Sequence, residues 1–140
     1  MNSDDSAQPP SGQGPSSPFK STSGWRRVLA AAGYSWAGLK AAVRHEAAFR
    51  QELALGIPLL ALAWWLAPGR WQALALTASV VLVWIVELLN SALEALADEI
   101  SLGHRKRLGR AKDLGSAAVM MALLLAALAW GAVIAGRLLG

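Results

Sequence analysis

The chain has 140 residues, a formal net charge of +4, no cysteine, and 55% hydrophobic residues, with a mean hydropathy of +0.40. The absence of cysteine excludes disulfides, a thiolate nucleophile and a cysteine-built zinc site. The positive charge is clustered around apolar segments rather than along one stripe, which favours a membrane protein over a nucleic-acid-binding domain. The length fits one domain with an extension.

Residues 1–24 form a compositionally separate segment. Sixteen of these 24 residues are Ser, Pro, Gly or Gln, so they carry too few apolar side chains to build a core. No apolar stretch of adequate length follows a charged start, which argues against a secretory signal. We predict a disordered cytoplasmic tail at 1–24 and a membrane domain at 25–140.

Residues 25–45 have the pattern of an amphipathic helix. Large apolar residues recur at near-helical spacing, and Lys and Arg residues supply a cationic side. Trp, Lys and Arg prefer the membrane–water interface, so we predict a helix lying in that interface and broken near Gly33. A cytosolic helix packed on the loops is the alternative.

Residues 47–67 are predicted to form a first transmembrane helix. Its uncharged stretch, 53–67, has only 15 residues, short of the roughly 20 needed to cross hydrocarbon, so polar residues must fill its first turns. Pro58 lies inside this span and is expected to kink it or to be tolerated through its neighbours. The Pro68-Gly69 pair then predicts a tight reversal.

Residues 71–97 and 114–136 are predicted to form the second and third spans, and the last has 23 residues without a charge. Ten Lys or Arg residues lie before the first span or between the second and third. Only Arg70 and Arg137 lie on the other side. Because cytoplasmic loops carry the excess of Lys and Arg, we predict an amino terminus inside and a carboxyl terminus outside.

The second span contains a polar face. Glu87, Asn90 and Glu94 are spaced by three, four and seven residues, which places them on one side of a helix with Ser91 close beside them. A carboxylate in hydrocarbon is costly, so two of them with an amide between indicate a functional site. A buried polar interface that holds helices together is the alternative.

The predicted topology suggests how this face works. Glu94 lies toward the cytoplasm and Glu87 roughly 10 Å deeper at 1.5 Å per residue. Such a row of carboxylates could bind a metal at its cytoplasmic end and leave a general base at the end that lies deeper in the membrane. Hard oxygen ligands without cysteine favour Mg²⁺, and Glu46 could complete the site from before the first span.

Nucleotide phosphates would meet basic groups on the same side. Lys112 with Asp113 adjoins the third span, and the basic loop containing Gly103, His104 and Arg105 is a further candidate, although positive-inside bias explains most of that loop equally well. The chain has no phosphate-binding loop of the soluble nucleotide-binding type.

Several runs resemble the prokaryotic diacylglycerol kinases, small integral-membrane lipid kinases. The resemblance covers about residues 25–140 in one register, and a departure is Ala30, where a lysine is familiar in that family. The runs are Ala31-Ala-Gly33-Tyr34-Ser35-Trp36, Glu46-Ala-Ala-Phe49-Arg50-Gln51-Glu52, Glu87-Leu-Leu-Asn90-Ser91-Ala-Leu-Glu94 and Gly109-Arg-Ala-Lys112-Asp113-Leu-Gly115-Ser116.

This resemblance implies an all-α integral membrane protein of the bacterial inner membrane. Each subunit of a homotrimer would have three transmembrane helices plus an amphipathic surface helix, with active sites shared between neighbouring chains. The implied reaction phosphorylates diacylglycerol with ATP, with Mg²⁺ as cofactor.

The resemblance also implies roles for individual residues. Glu87 would be the general base, Asn90 would orient the catalytic groups, and Glu46 and Glu94 would bind Mg²⁺. The implied ATP contacts are Arg27, Tyr34, Gly103, His104, Arg105, Lys112 and Asp113. The implied lipid contacts are Ala31, Ser35, Trp36, Phe49, Arg50, Gln51, Glu52 and Ser116.

Three other functions stay open from the residues alone. An undecaprenol kinase would share the architecture and the glutamates. A proton- or cation-coupled transporter also uses intramembrane carboxylates, but the polar groups here collect near the cytoplasmic side, and the third span has no ionisable residue before Arg137. A helical assembly factor without a ligand would leave the paired carboxylates unexplained.

Overall fold

The computed structural model of the chain describes residues 24–100 and 106–139. Within those ranges the structure is all-helical, without a strand. The described chain forms two units that divide after Trp36. The helices are α1 (Gly24–His45), α2 (Ala47–Leu66), α3 (Arg70–Ile100) and α4 (Lys106–Leu139). The predicted tail lies almost entirely outside the described residues.

The helix α1 is continuous, and the predicted break near Gly33 was wrong. A glycine costs roughly 1 kcal/mol relative to alanine inside a helix, and the alanines at 30–32 before it have the highest helix propensity, so one glycine does not interrupt the helix. In the first unit, every described residue from 24 to 36 is exposed. The rest of α1 belongs to the second unit, where Ala42 is buried.

Local backbone preferences explain where α2 begins and ends. Glu46 is its N-cap residue in an extended conformation, and the helix continues through Pro58. At its other end Ala67 is extended (φ −66°, ψ 135°), the conformation that a following proline imposes. The helix therefore stops one residue before the predicted boundary of 67, and the reversal at Pro68-Gly69 is confirmed.

The helices α3 and α4 are longer than the predicted spans 71–97 and 114–136. They have 31 and 34 residues because their polar ends continue the helix beyond the apolar stretch that hydropathy marks. In the described chain these two helices are long and apolar enough to cross a membrane. The shorter α2, which has 20 residues with Arg50 and Glu52 in its first turns, is not one of them.

In the second unit, α3 packs against both α2 and α4. A small core of Ala63, Leu76, Val80 and Trp130 joins the three helices. Arg137 of α4 donates a hydrogen bond of 2.7 Å to the carbonyl of Leu66, the last residue of α2. A cation at this position satisfies a carbonyl that the helix end leaves free.

The surface of α4 is largely uncovered in a single chain. Its buried residues Gly115, Ala122 and Trp130 form one narrow stripe. Of the residues in its most apolar 18-residue stretch, only 6% are buried, compared with 33% in the corresponding stretch of α3. Such a helix needs lipid or other protein chains around it to remove its apolar surface from water.

Candidate active site

The polar face predicted on the second span is present on α3. Glu87 is 5% exposed, Asn90 and Ser91 are also buried, and Glu94 is half-buried. A buried carboxylate needs a compensating proton, cation or set of hydrogen bonds, because desolvation disfavours its charge. The burial therefore places a candidate base, Glu87, inside the packed part of the helix and leaves Glu94 nearer to solvent.

Asn90 links this face to α4. Its Nδ2 donates a hydrogen bond of 3.3 Å to Oε1 of Glu94. Its Oδ1 is buried and has no hydrogen-bond partner in the described part of the chain. A methyl group at Gly115 of α4 would overlap with this oxygen, so the absence of a side chain at 115 allows α4 to approach. The amide thus orients Glu94 and keeps one acceptor free.

Glu46 joins this cluster from the start of α2. As the N-cap residue it does not use its side chain to cap the helix, so its carboxylate is available for other contacts. Glu46 and Glu94 are both close enough to Glu87 for their charges to act on it. The charge of each therefore repels the Glu87 carboxylate, and a cation would relieve that repulsion.

The carboxylates of this cluster suit a Mg²⁺ ion that is also bound by the phosphates of a nucleotide. Among the described residues there is no group of three or more acidic, His or Cys side chains arranged to hold a metal by themselves. Mg²⁺ is commonly bound through one or two carboxylates with substrate phosphates and waters supplying the other oxygens. Glu46 and Glu94 supply two carboxylates, the number that such a site requires.

Lys112 lies just before the predicted third span and is fixed by an ion pair. Its Nζ is 2.8 Å from Oδ1 of Asp98 on α3. The hydrogen bond that the Lys112 ammonium donates to Asp98 raises the pKa of Lys112, which keeps it cationic. An exposed pair of this kind contributes little stability, so its main effect is to hold the cation beside the acidic face. The neighbouring Asp113 is exposed.

The predicted lipid contacts on α2 have different surroundings. Phe49 is 2% exposed and packs inside the unit, whereas Gln51 is exposed. Arg50 donates from Nη1 to two carbonyls at the end of α1, those of Val43 and Arg44, each at 3.4 Å. Arg50 therefore also joins α1 to α2. Ser116 on α4 is exposed.

Glu52 lines a cavity that the sequence analysis did not predict. The cavity has a volume of about 330 Å³ and lies between α2, α3 and α4. Its lining is otherwise almost wholly apolar and includes Gly56, Trp84 and Trp130. Oε2 of Glu52 and Nε1 of Trp130 are buried without a partner among the described residues. Walls that are almost wholly apolar suit a ligand that is itself mostly apolar.

The remaining predicted contacts lie in the first unit or outside the described residues. Arg27, Ala31, Tyr34, Ser35 and Trp36 lie in the first unit on α1, where all five are exposed. Their part in binding stays a prediction. Gly103, His104 and Arg105 lie outside the described residues.

Comparison with known proteins identifies the family. A family model described as Prokaryotic diacylglycerol kinase matches residues 33–134. The chain belongs to the prokaryotic diacylglycerol kinase family. The match spans α2, α3 and most of α4, and so includes every carboxylate of the candidate site. This confirms the resemblance that the motifs indicated.

The sequences of individual family members align with this chain over most of their length. The chain is 48% identical to the diacylglycerol kinase of Escherichia coli (strain K12) over 109 residues, which cover 78% of this chain and 89% of that protein. It is 44% identical over 120 residues to the diacylglycerol kinase of Pseudomonas aeruginosa, covering 86% and 98%. Identity to the Haemophilus influenzae diacylglycerol kinase is 38% over 113 residues, covering 81% and 96%.

Proposed function

We propose that this chain transfers the γ-phosphoryl group of ATP to the free hydroxyl of diacylglycerol and so produces phosphatidic acid and ADP. Family membership and the names of the relatives support a kinase acting on this lipid. The observation that carries the proposal is the buried Glu87 on α3, with Asn90 and Glu94 one and two turns away on the same face.

Glu87 is the general base of the proposed reaction. Its carboxylate takes the proton of the lipid hydroxyl as that oxygen forms a bond to the γ-phosphorus. The bond from this phosphorus to the bridging oxygen breaks, and ADP leaves. Phosphoryl transfer depends mainly on positioning and on neutralising charge, so the protein needs few reactive groups. The apolar surroundings exclude water, which would otherwise compete as the acceptor.

Glu46 and Glu94 hold Mg²⁺ with the phosphates of ATP. The ion, when bound, neutralises charge on the transferring phosphoryl group. Asn90 fixes the orientation of Glu94 through its amide hydrogen bond. Lys112 contacts the phosphates from α4, with Asp113 beside it. The other proposed ATP contacts, Arg27 and Tyr34 on α1 and the stretch 103–105, follow from the resemblance.

The lipid is proposed to enter the cavity beside Glu52. The acyl part of diacylglycerol matches the apolar lining, and its glycerol end carries the hydroxyl that must reach Glu87. Glu52 lines this cavity and is close enough to Glu87 for the two charges to interact, so the cavity lies near the proposed base. The remaining proposed lipid contacts are Ala31, Ser35, Trp36, Phe49, Arg50, Gln51 and Ser116.

The membrane arrangement is also a proposal. We infer a homotrimer in the bacterial inner membrane, with a cytoplasmic amino terminus, α2, α3 and α4 as transmembrane helices, and α1 as a surface helix. The proposed domains are a tail at 1–24 and a kinase domain at 25–140. The uncovered apolar surface of α4 and the distribution of Lys and Arg support this arrangement.

A direct assay tests the function. The purified protein in mixed micelles is incubated with labelled ATP, Mg²⁺ and separate lipid alcohols, including diacylglycerol and undecaprenol. We expect labelled phosphatidic acid as the main product. Preferential labelling of undecaprenol would instead assign the chain to the alternative lipid kinase, and ATP consumption without a lipid product would contradict both.

A further inference from the structure

Trp84 on α3 fills a notch in the backbone of α2. The notch is at Gly56, where an added methyl group would lie 2.5 Å from Cζ2 of the indole and 2.9 Å from its Nε1. Carbon atoms without a bond between them do not approach so closely, so any side chain at position 56 would displace the ring or separate the helices. The indole therefore lies directly against the α2 backbone.

The same indole donates a hydrogen bond across the helix interface. Nε1 of Trp84 is 3.1 Å from the carbonyl oxygen of Glu52, one turn before Gly56. An indole N–H in apolar surroundings needs a partner, and this bond supplies it. The notch and the hydrogen bond are separate contacts with one turn of α2. Together they fix both the depth and the rotation of the turn that carries Glu52.

That turn connects the cavity with the proposed base. Oε2 of Glu52 is buried without a partner among the described residues, and Glu52 lines the cavity together with Trp84. Trp84 is three residues before Glu87 on α3, almost one helical turn, and Glu52 is within electrostatic range of Glu87. A shift of this α2 turn would move Glu52 relative to both.

We propose that Trp84 is a positioning and specificity-determining residue for the lipid acceptor. Its hydrogen bond holds Glu52 at the cavity in register with Glu87, and its ring forms the wall that limits the bulk of the acyl groups that the cavity accepts. This inference depends on the proposed function, because it takes the cavity to be the lipid site.

Three variants separate the two parts of this proposal. Trp84→Phe keeps an aromatic ring but loses the donor, and Trp84→Leu also removes much of the wall. Gly56→Ala keeps the indole and its donor but fills the notch. Trp65→Phe, at a side chain that is 76% exposed on α2, is the matched control. Each purified protein is assayed for kcat and KM with ATP and with diacylglycerols of short and of bulky acyl chains.

We expect Trp84→Phe to lower kcat/KM for the lipid about fivefold, since a lost hydrogen bond is worth about 1 kcal/mol, with KM for ATP unchanged. Gly56→Ala should act in the same direction. Trp84→Leu should shift the preference toward the bulky acceptors. The control should match the parent protein.

Two results would overturn the inference while the parent protein stays active. One is that Trp84→Leu and Trp84→Phe both keep the parental kcat and KM for the lipid and the parental preference among acyl chains. The other is an equal loss for every acceptor with a matching change in KM for ATP, which would mark a general structural role. If a Trp84 variant does not elute as a folded species on size exclusion, Gly56→Ala decides by the same kinetic criteria. A parent protein that phosphorylates no lipid would instead refute the proposed function, and the inference with it.

Discussion

At the scale of single residues, the proposed chemistry depends on three carboxylates that occupy different environments. Glu87 is buried, whereas Glu94 is half-buried and bonded to Asn90. Glu46 is the N-cap residue of α2, and its side chain makes no capping hydrogen bond. These differences support separate roles, with the base in the dry position and the metal ligands nearer to water.

Glu87→Gln tests the base. The amide preserves size and hydrogen bonding but cannot accept the proton, so turnover should fall by at least about 100-fold, as general-base removal commonly does. Turnover and nucleotide affinity are measured in the same micelles, and affinity for Mg·ATP should survive. Glu99→Gln, at an exposed glutamate on the same helix, is the matched control and should keep full activity. Near-parental turnover in Glu87→Gln would remove the residue from that role.

Glu46→Gln and Glu94→Gln test the metal ligands. Each substitution replaces a negatively charged carboxylate with a neutral amide, which binds Mg²⁺ more weakly. Each variant should therefore require a higher Mg²⁺ concentration for half-maximal activity, and added Mg²⁺ should restore part of the rate. The measurement is a Mg²⁺ titration at fixed ATP. Titration curves that coincide with that of the parent protein would exclude these two residues from the metal site.

At the scale of helices, glycines set how closely α2 and α4 approach α3. Gly56 accepts the ring of Trp84, and Gly115 accepts the amide of Asn90. Neither glycine occupies a turn or has a positive φ. Their function is to leave space, and the side chains that use the space are those that hold the candidate site together.

Gly115→Ala should therefore impair both stability and activity. The new methyl group overlaps with Oδ1 of Asn90, and overpacking of this kind costs about 1–3 kcal/mol and would turn the amide away from Glu94. Gly131→Ala on the same helix is the control, because nothing lies within 4 Å of its added methyl group. Thermal unfolding and turnover are measured for both. Equal behaviour of the two variants would mean that α4 adjusts at position 115 without disturbing Asn90.

At the scale of the whole molecule, one chain leaves most of α4 exposed. A single three-helix unit therefore buries little of its own apolar surface, and the rest must face lipid or neighbouring subunits. Small residues on the exposed part of α4, such as Ala118, let helices approach closely. The family resemblance implies a trimer in which neighbouring subunits complete each other's sites.

Shared sites predict that two inactive variants rescue each other. When Glu46→Gln and Glu87→Gln subunits are mixed at random, about three quarters of trimers are mixed and each has one intact site of three, so activity should recover to about one quarter of the parental value. Mixed trimers are then isolated with two different affinity tags, and this fraction, freed of inactive homotrimers, should reach about one third of the parental value. Because Glu46 and Glu87 also lie within electrostatic range inside one chain, mixed trimers without activity would assign the whole site to a single chain.

Much of the fold was predictable because hydrophobic periodicity and helix-breaking residues act locally. The apolar stretches and the Pro68-Gly69 reversal located α2, α3 and α4, and the spacing of Glu87, Asn90 and Glu94 placed them on one face. The helix ends were less predictable, since polar residues continue α3 and α4 past their apolar parts. The break expected at Gly33 failed because a single glycine costs little within an alanine-rich segment.

The sequence by itself determined the chemical inventory: oxygen ligands without cysteine, a carboxylate face in an apolar helix, and motifs of one kinase family. Only the tertiary structure decided which groups meet. Trp84 with Gly56, Asn90 with Gly115, Asp98 with Lys112 and Arg137 with Leu66 are contacts between helices, separated in sequence by 14 to 71 residues. Such contacts depend on the relative rotation and depth of packed helices. No local pattern specifies these, because every apolar face could pack in several registers until particular side chains fit.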